Sequence, residues 1–146
     1  MHIAIGSDHG GFELKETIKH FLAEEDISYS DHGTHSTASV DYPDFAVPVS
    51  QDVAAQKADF GILICRTGIG MSITANKIPG VRAALCDTPE RARLSRMHNN
   101  ANVLTLAGDT PASTAREIVR TFLGTRFATD KRHHRRVDKI HSLTGR

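Results

Sequence analysis

Five short apolar runs alternate with helix-like segments along this chain of 146 residues, and the alternation constrains the fold class. Between the runs, apolar residues recur every three or four positions, which is the spacing of an amphipathic helix. Strands that alternate with helices form a parallel sheet whose two faces are covered by right-handed crossovers. We therefore predict an α/β protein with a five-stranded parallel sheet. The predicted strands lie at 3–6, 27–31, 60–64, 81–85 and 103–106.

The segments between the strands carry helix signals of their own. Thr88, Pro89 and Glu90 predict a helix start, because they supply a capping hydroxyl, a first-turn proline and an acidic side chain. The C-terminal segment 125–146 is predicted to pack as an arm or as a last, short helix. No repeat or linker interrupts the pattern, so we predict a single domain over residues 1–146.

Charge and cysteine content narrow the class of protein. With 18 basic and 17 acidic residues the net charge is +1, which gives no general attraction to nucleic acid or to a membrane surface. Cys65 and Cys86 have no C-x-x-C partner, so we expect free thiols and a cytoplasmic protein. No apolar run approaches the ~18 residues of a membrane span, and the first residues do not resemble a leader peptide.

Polar residues and glycines follow the predicted strands at the edge where parallel sheets bind ligands. Asp8 and His9 follow the first strand, Cys65 follows the third, Cys86 follows the fourth and Asp109 follows the fifth. We expect the groups after the first, third and fourth strands to share one cleft.

A strand, a glycine turn and a helix start follow one another at residues 61–77. The turn exposes backbone N–H groups and the positive end of a helix dipole, which together hold an anion or a developing oxyanion. Cys65 at the lip of this turn is a candidate base or nucleophile, because the helix start favours its thiolate. The alternative is a structural cysteine beside a turn shaped for tight packing. The catalytic reading requires a cavity beside the sulfur.

Histidines and arginines supply the remaining chemistry. His98 is a candidate acid or base, although it is also compatible with a surface or capping role. Arg132 and Arg136 are four residues apart, so a helix would place both guanidinium groups on one face, where they suit a phosphate; the alternative is a solvated surface. No histidine or cysteine spacing matches a closed metal site, and we predict no metal. Together these groups favour proton transfer next to a carbonyl in a phosphorylated metabolite.

Several motifs, in order along nearly the whole chain, resemble one family. They are SDHGG at 7–11, DYPDFA at 41–46, the segment 61–77, IPGVRAALC at 78–86, HNNANVL at 98–104 and RHHRRV at 132–137. The chain is similar to type B ribose-5-phosphate isomerases, in the sugar-phosphate isomerase group that includes galactose-6-phosphate isomerase. The resemblance implies a Rossmann-like three-layer α/β/α sandwich and a homodimer, with tetramers in some members. It also implies an active site built from two subunits, without a metal or an organic cofactor.

The resemblance further implies roles for individual residues. Cys65 matches the base that moves a proton between C2 and C1 through a cis-enediolate, and Thr67 matches the hydroxyl that assists proton movement between the oxygens. His98 matches the residue that opens the furanose ring, with Asp8 near the ring oxygen or hydroxyls. The anion-hole loop matches Gly68, Ile69 and Gly70.

The same comparison assigns the substrate contacts. Asn99 matches a contact that the partner subunit supplies together with His98, and Tyr42 lies in a motif that lines the pocket. The phosphate-binding set matches His9, Arg132 and Arg136.

Two positions depart from the family pattern. Arg66 stands where the family usually has glycine, and Asp109 stands where it usually has an arginine that binds phosphate. Our hypothesis is that Arg66 takes over phosphate or hydroxyl binding and that Asp109 pairs with Arg66 or Arg132.

The predicted function is the interconversion of ribose 5-phosphate and ribulose 5-phosphate. The alternatives are the same chemistry on a four- or six-carbon sugar phosphate, such as allose 6-phosphate, and a sugar-phosphate-binding protein without catalysis. A metal-dependent hydrolase is the most remote alternative.

Overall fold

The computed structural model describes all 146 residues and contains one five-stranded sheet. All strand pairs are parallel, and the order across the sheet is β2-β1-β3-β5-β4. The predicted α/β/α fold with a five-stranded parallel sheet is confirmed. The strands are β1 (His2–Ser7), β2 (Ser28–Asp31), β3 (Phe60–Cys65), β4 (Ala83–Leu85) and β5 (Val103–Ala107).

Six helices connect and cover the strands, and none is long and apolar enough to cross a membrane. The predicted start at Thr88 is confirmed, because its hydroxyl accepts a hydrogen bond from the Arg91 N–H at 3.2 Å. The last helix is longer than predicted, since Asp130 caps its start and it continues to a left-handed Gly145. The helices are α1 (Phe12–Glu24), α2 (Pro43–Ala54), α3 (Ile69–Ala75), α4 (Pro89–Asn99), α5 (Ala112–Gly124) and α6 (Lys131–Thr144).

Strand β4 is shorter than predicted because its first two expected residues form other contacts. The Val81 N–H donates to the Ile78 carbonyl, and the Arg82 N–H donates to the Asn102 side chain at 2.7 Å. Three residues remain to pair with β5 at the edge of the sheet.

The alternation of side chains along each strand divides the core into two layers. Ile62 and Ile64 of β3 pack against α1, α4 and α5, whereas Leu63 and Cys65 pack against α2 and α3. Cys65 therefore points toward the α2 and α3 side of the sheet.

Glycines bring three loops together at the carboxyl edge of the sheet. A Cβ on Gly11 would lie 2.4 Å from the Ile64 carbonyl oxygen, and one on Gly108 would lie 2.1 Å from that of Gly10. The loops after β1, β3 and β5 therefore approach one another more closely than a side chain at these glycines would allow.

Candidate active site

Cys65 ends β3 and is held beside the first turn of α3. The Gly68 N–H donates a hydrogen bond to the Cys65 sulfur at 3.1 Å. Gly68 has a φ of +74°, and a Cβ there would lie 2.6 Å from a methyl carbon of Leu85. Only glycine fits this position, and its amide stabilises negative charge on the sulfur.

The start of α3 presents further backbone donors. The Ile69 N–H donates to the Thr67 hydroxyl at 3.3 Å, whereas the N–H groups of Gly70 and Met71 have no acceptor in the protomer. These two amides are free because they precede the first carbonyl-bonded turn of the helix. Of the predicted anion-hole residues only Gly70 has an unpaired amide, and Met71, which was not predicted, supplies the second.

Tyr42 forms a wall of the same region. It precedes α2, and a Cβ on Gly70 would lie only 2.7 Å from the Tyr42 ring. The phenol ring therefore lies directly against the backbone of the predicted anion-hole loop.

Asp8 and His9 lie on the neighbouring loop after β1. Asp8 is nearly buried, and its Oδ1 accepts hydrogen bonds from the Gly10 and Gly11 N–H groups at 2.8 and 3.1 Å. Its Oδ2 has no partner in the protomer. The His9 Nδ1 accepts from the Val40 N–H at 3.2 Å, so the neutral ring carries its proton on Nε2. Both side chains thus keep one polar atom available for a ligand.

Thr67 also lines a cleft of about 320 Å³ between β4, β5 and α4. Cys86 and Asp87 line this cleft, so the group after β4 lies next to the Cys65 loop. The expected sharing with the group after β1 is wrong for this cleft, because Asp8 and His9 do not line it and β5 lies between β3 and β4. Cys86 is 2% exposed, and burial raises the pKa of its thiol.

The sulfur of Cys65 is less accessible in one protomer than expected for a catalytic thiol beside a cavity. Cys65 is 5% exposed and lines none of the protomer's four principal cavities. A single chain brings together Cys65, the amide donors and the Tyr42 wall, but none of these four cavities lies beside the sulfur.

The other predicted site residues lie at the opposite edge of the sheet. Helix α4 starts beyond the carboxyl end of β4 and runs back about 16 Å to the amino edge, where β5 begins. His98 and Asn99 are at that far end. The segment before α6 is held there as well, because the Ala128 N–H donates to the Met97 carbonyl at 3.0 Å. The protomer therefore does not bring these residues to its own Cys65.

Helix α6 places the two predicted phosphate ligands together. Arg132 and Arg136 are one turn apart and exposed, as the spacing predicts. Arg132 forms an ion pair with Asp130 at 3.1 Å. Helix α6 packs on α4, so these arginines belong to the same part of the protomer as His98 and Asn99.

A model of one protein family, ribose/galactose isomerase, matches residues 3–140 of the chain. The chain belongs to this family. Ribose-5-phosphate isomerase B of Escherichia coli K12 is 43% identical over 145 residues, which cover 99% of this chain and 97% of that protein.

Solved structures of ribose-5-phosphate isomerase B have the same fold as this member of the ribose/galactose isomerase family. The Clostridium thermocellum structure is 46% identical, with a TM-score of 0.96 over 99% of this chain and 98% of that chain. The Mycoplasma genitalium structure, which has bound ribulose-5-phosphate, is 41% identical, with a TM-score of 0.93 over 99% and 96% of the two chains.

The prediction that Asp109 pairs with Arg66 or Arg132 is wrong within the protomer of this ribose/galactose isomerase. Asp109 is exposed and lies within ion-pair distance of no basic side chain, and Arg132 pairs with Asp130 instead. Arg66 is exposed and unpaired. It packs closely on Gly10, since a Cβ added to Gly10 would lie 3.1 Å from the Cβ of Arg66. Arg66 therefore lies between Cys65 and Thr67 in the chain and against the loop after β1, with its charge uncompensated in the protomer.

Two features of the site were not found from the sequence. His133, which lies in the RHHRRV motif but was given no role, stacks on His98. The Val40 N–H, directly before the DYPDFA motif, fixes the tautomer of His9. No group of three or more histidine, cysteine or acidic side chains lies close enough together to hold a metal ion.

Proposed function

We propose that this isomerase interconverts ribose 5-phosphate and ribulose 5-phosphate. The observation that carries the proposal is the Gly68 amide bonded to the Cys65 sulfur, beside unpaired amides at the start of α3. A family of sugar isomerases needs this combination of a base and an oxyanion site. The relative with bound ribulose-5-phosphate supports the five-carbon substrate.

The geometry supports a proton transfer through an enediolate. The Cys65 thiolate takes the proton from C2 of the open-chain aldose, and the C2–H electrons form the C1–C2 double bond as charge develops on O1. The amides of Gly70 and Met71 stabilise that oxygen. Thr67 assists the movement of a proton from O2 to O1, and the Cys65 thiol returns its proton to C1. The product is the ketose, with no net gain or loss of protons.

The loop after β1 and helix α6 recognise the substrate. Asp8 binds the sugar hydroxyls or ring oxygen through its free Oδ2, and His9 donates a hydrogen bond from its Nε2–H to the phosphate. Arg132 and Arg136 supply positive charge that matches a phosphate dianion. Tyr42 closes the wall beside Gly70.

The active enzyme is a homodimer with sites shared between subunits. Two observations support this: the predicted site residues lie at opposite edges of one protomer, and α3 exposes more than half of Ile69 and Ile73 on one face. Leu143 of α6 is also exposed. A second copy that covers these side chains brings His98, Asn99 and the α6 arginines to the partner's Cys65. We place the enzyme in the cytoplasm, where its two buried cysteines stay reduced.

Mixed dimers test the shared site. Cys65→Ser and His98→Ala each inactivate their own homodimer, but a mixed dimer contains one site with both substitutions and one site with neither. Because one of its two sites is intact, the isolated mixed dimer is expected to have roughly half of the wild-type activity. Co-expression with two affinity tags isolates the mixed species, and isomerisation is assayed directly. Mixed dimers no more active than their parents would show that each site lies within one subunit.

A panel of sugar phosphates tests the substrate. We expect the highest kcat/KM for ribose 5-phosphate, with lower values for allose 6-phosphate and a four-carbon aldose phosphate. A higher kcat/KM for another sugar phosphate would show that the proposed reaction is right but that the proposed substrate is wrong. A protein that catalyses neither uptake of solvent deuterium in D2O nor transfer of a C2 label to C1, with every sugar of the panel, would be a binding protein.

Arg66→Gly tests the uncompensated charge next to Cys65. Because Arg66 is exposed, its contact with phosphate contributes about 1 kcal/mol, and KM for ribose 5-phosphate should rise about fivefold. Arg120→Ala on α5 is the control, since it removes an exposed arginine that pairs with Glu25 away from the site. Kinetics unchanged across the whole panel would refute the role assigned to Arg66.

A further inference from the structure

Two imidazole rings from different helices lie face to face at the end of α4. The ring centroids of His98 and His133 are 4.3 Å apart, and the ring planes differ by 8°. His133 is 6% exposed, so it is enclosed between α6 and α4, whereas His98 is half-buried. Neither ring forms a hydrogen bond with another group of the protomer.

This arrangement differs from the usual support of a reactive histidine. Such a ring is normally oriented by a hydrogen bond on one nitrogen, which also fixes the tautomer. Here both nitrogens of His98 remain free, and the flat contact with His133 is what restrains the plane of the ring. A ring held by its face keeps two nitrogens for moving a proton between two oxygens.

We propose that His133 is a positioning residue that holds the His98 imidazole in the orientation needed to open the sugar ring. The inference rests on the proposed function. In ring opening, the C1–O4 bond of the furanose breaks, the C1 hydroxyl loses its proton and O4 gains one. His98 accepts the first proton and supplies the second, so the step is balanced without another reactant.

The charges around the pair favour a neutral His133. Burial lowers the pKa of His133, and the positive charges of His98, Arg132 and Arg136 lower it further, although Asp130 opposes them. Two imidazolium rings in contact would repel each other, whereas a neutral His133 stacks on His98 in either of its protonation states. The stack therefore persists while His98 exchanges protons with the substrate.

Two assays separate ring opening from the enediolate step. Isomerisation of ribose 5-phosphate requires both. Exchange of the C1 proton of ribulose 5-phosphate in D2O requires only the enediolate step, because its phosphorylated O5 prevents furanose formation. His133→Ala should lower kcat for isomerisation about tenfold to a hundredfold, with KM and C1 exchange little changed. His133→Phe, which keeps a flat ring, should recover most of the isomerisation.

Control variants separate this inference from the function on which it rests. His98→Ala should reduce isomerisation and spare exchange, and His134→Ala, at the adjacent position of α6, should affect neither. If His98→Ala leaves isomerisation intact, the ring-opening role of His98 fails. If His98→Ala reduces isomerisation but His133→Ala does not, or if His133→Ala reduces both assays equally, the positioning role of His133 is wrong.

Discussion

Cys65→Ser is expected to lower kcat for isomerisation by about a hundredfold to ten-thousandfold, the usual contribution of a positioned base. Serine fits the same space and still accepts the hydrogen bond of the Gly68 amide. Its hydroxyl, however, does not ionise at neutral pH, so it cannot take the C2 proton. The loss is measured in kcat and in the exchange of the C1 proton of ribulose 5-phosphate, both of which depend on the base.

The control for this substitution is the second thiol. Cys86 is buried in the opposite core layer, and Cys86→Ser should retain most of the activity. Ribose 5-phosphate should still bind to the Cys65→Ser protein in calorimetry, because the proposed phosphate and hydroxyl ligands are other residues. A Cys65→Ser enzyme with wild-type kcat would remove the thiol from the mechanism.

Asp31→Asn is expected to lower the free energy of unfolding by about 3 kcal/mol, because it leaves a buried ammonium group without its main partner. The Lys15 side chain is 0% exposed, and its Nζ lies 2.6 and 2.7 Å from the two carboxylate oxygens of Asp31. Lys19 and the Gly33 N–H also bind this carboxylate. Urea unfolding measures the loss, and Glu16→Gln, at a half-exposed position of the same cluster, should cost less than about 1 kcal/mol.

The Asp31 carboxylate also makes the free energy of unfolding depend on pH in acid. Burial alone would raise the pKa of Asp31, but hydrogen bonds from Lys15, Lys19 and Gly33 outweigh it and lower the pKa from 3.8 to about 2. A pKa lowered in the folded state stabilises the protein above the unfolded value, and this contribution disappears as pH falls toward 2. The contribution is about 2 kcal/mol and should be absent in Asp31→Asn. An identical acid slope in both proteins would contradict this assignment.

The buried Lys15 also shows what a periodicity analysis misses. The apolar spacing of α1 predicts its core face from Leu14, Ile18, Phe21 and Leu22, and all four are buried. Lys15 adjoins that stripe, and lysines are almost always exposed. Its burial depends on Asp31, which lies 16 residues later in the chain at the end of β2. No local pattern contains that pairing.

Local chemistry was enough to predict the half of the candidate site around Cys65. The strand, the glycine turn and the helix start are contiguous, so their relation follows from backbone geometry, and the Gly68 amide lies on the sulfur. The exposed, unpaired state of Asp109 could not be predicted in the same way, because an ion pair depends on which loops lie close together in the folded chain.

The sequence by itself determined the parallel α/β fold, the position of Cys65 at the end of its strand and the glycine turn that directs an amide to it. These depend on the periodicity of side chains and on the stereochemistry of a few adjacent residues. Only the tertiary structure decided that His98 and α6 lie at the opposite edge from Cys65, that His133 stacks on His98 and that Lys15 is buried on Asp31. These relations join residues from separate elements, and packing of the whole chain sets the distances between them.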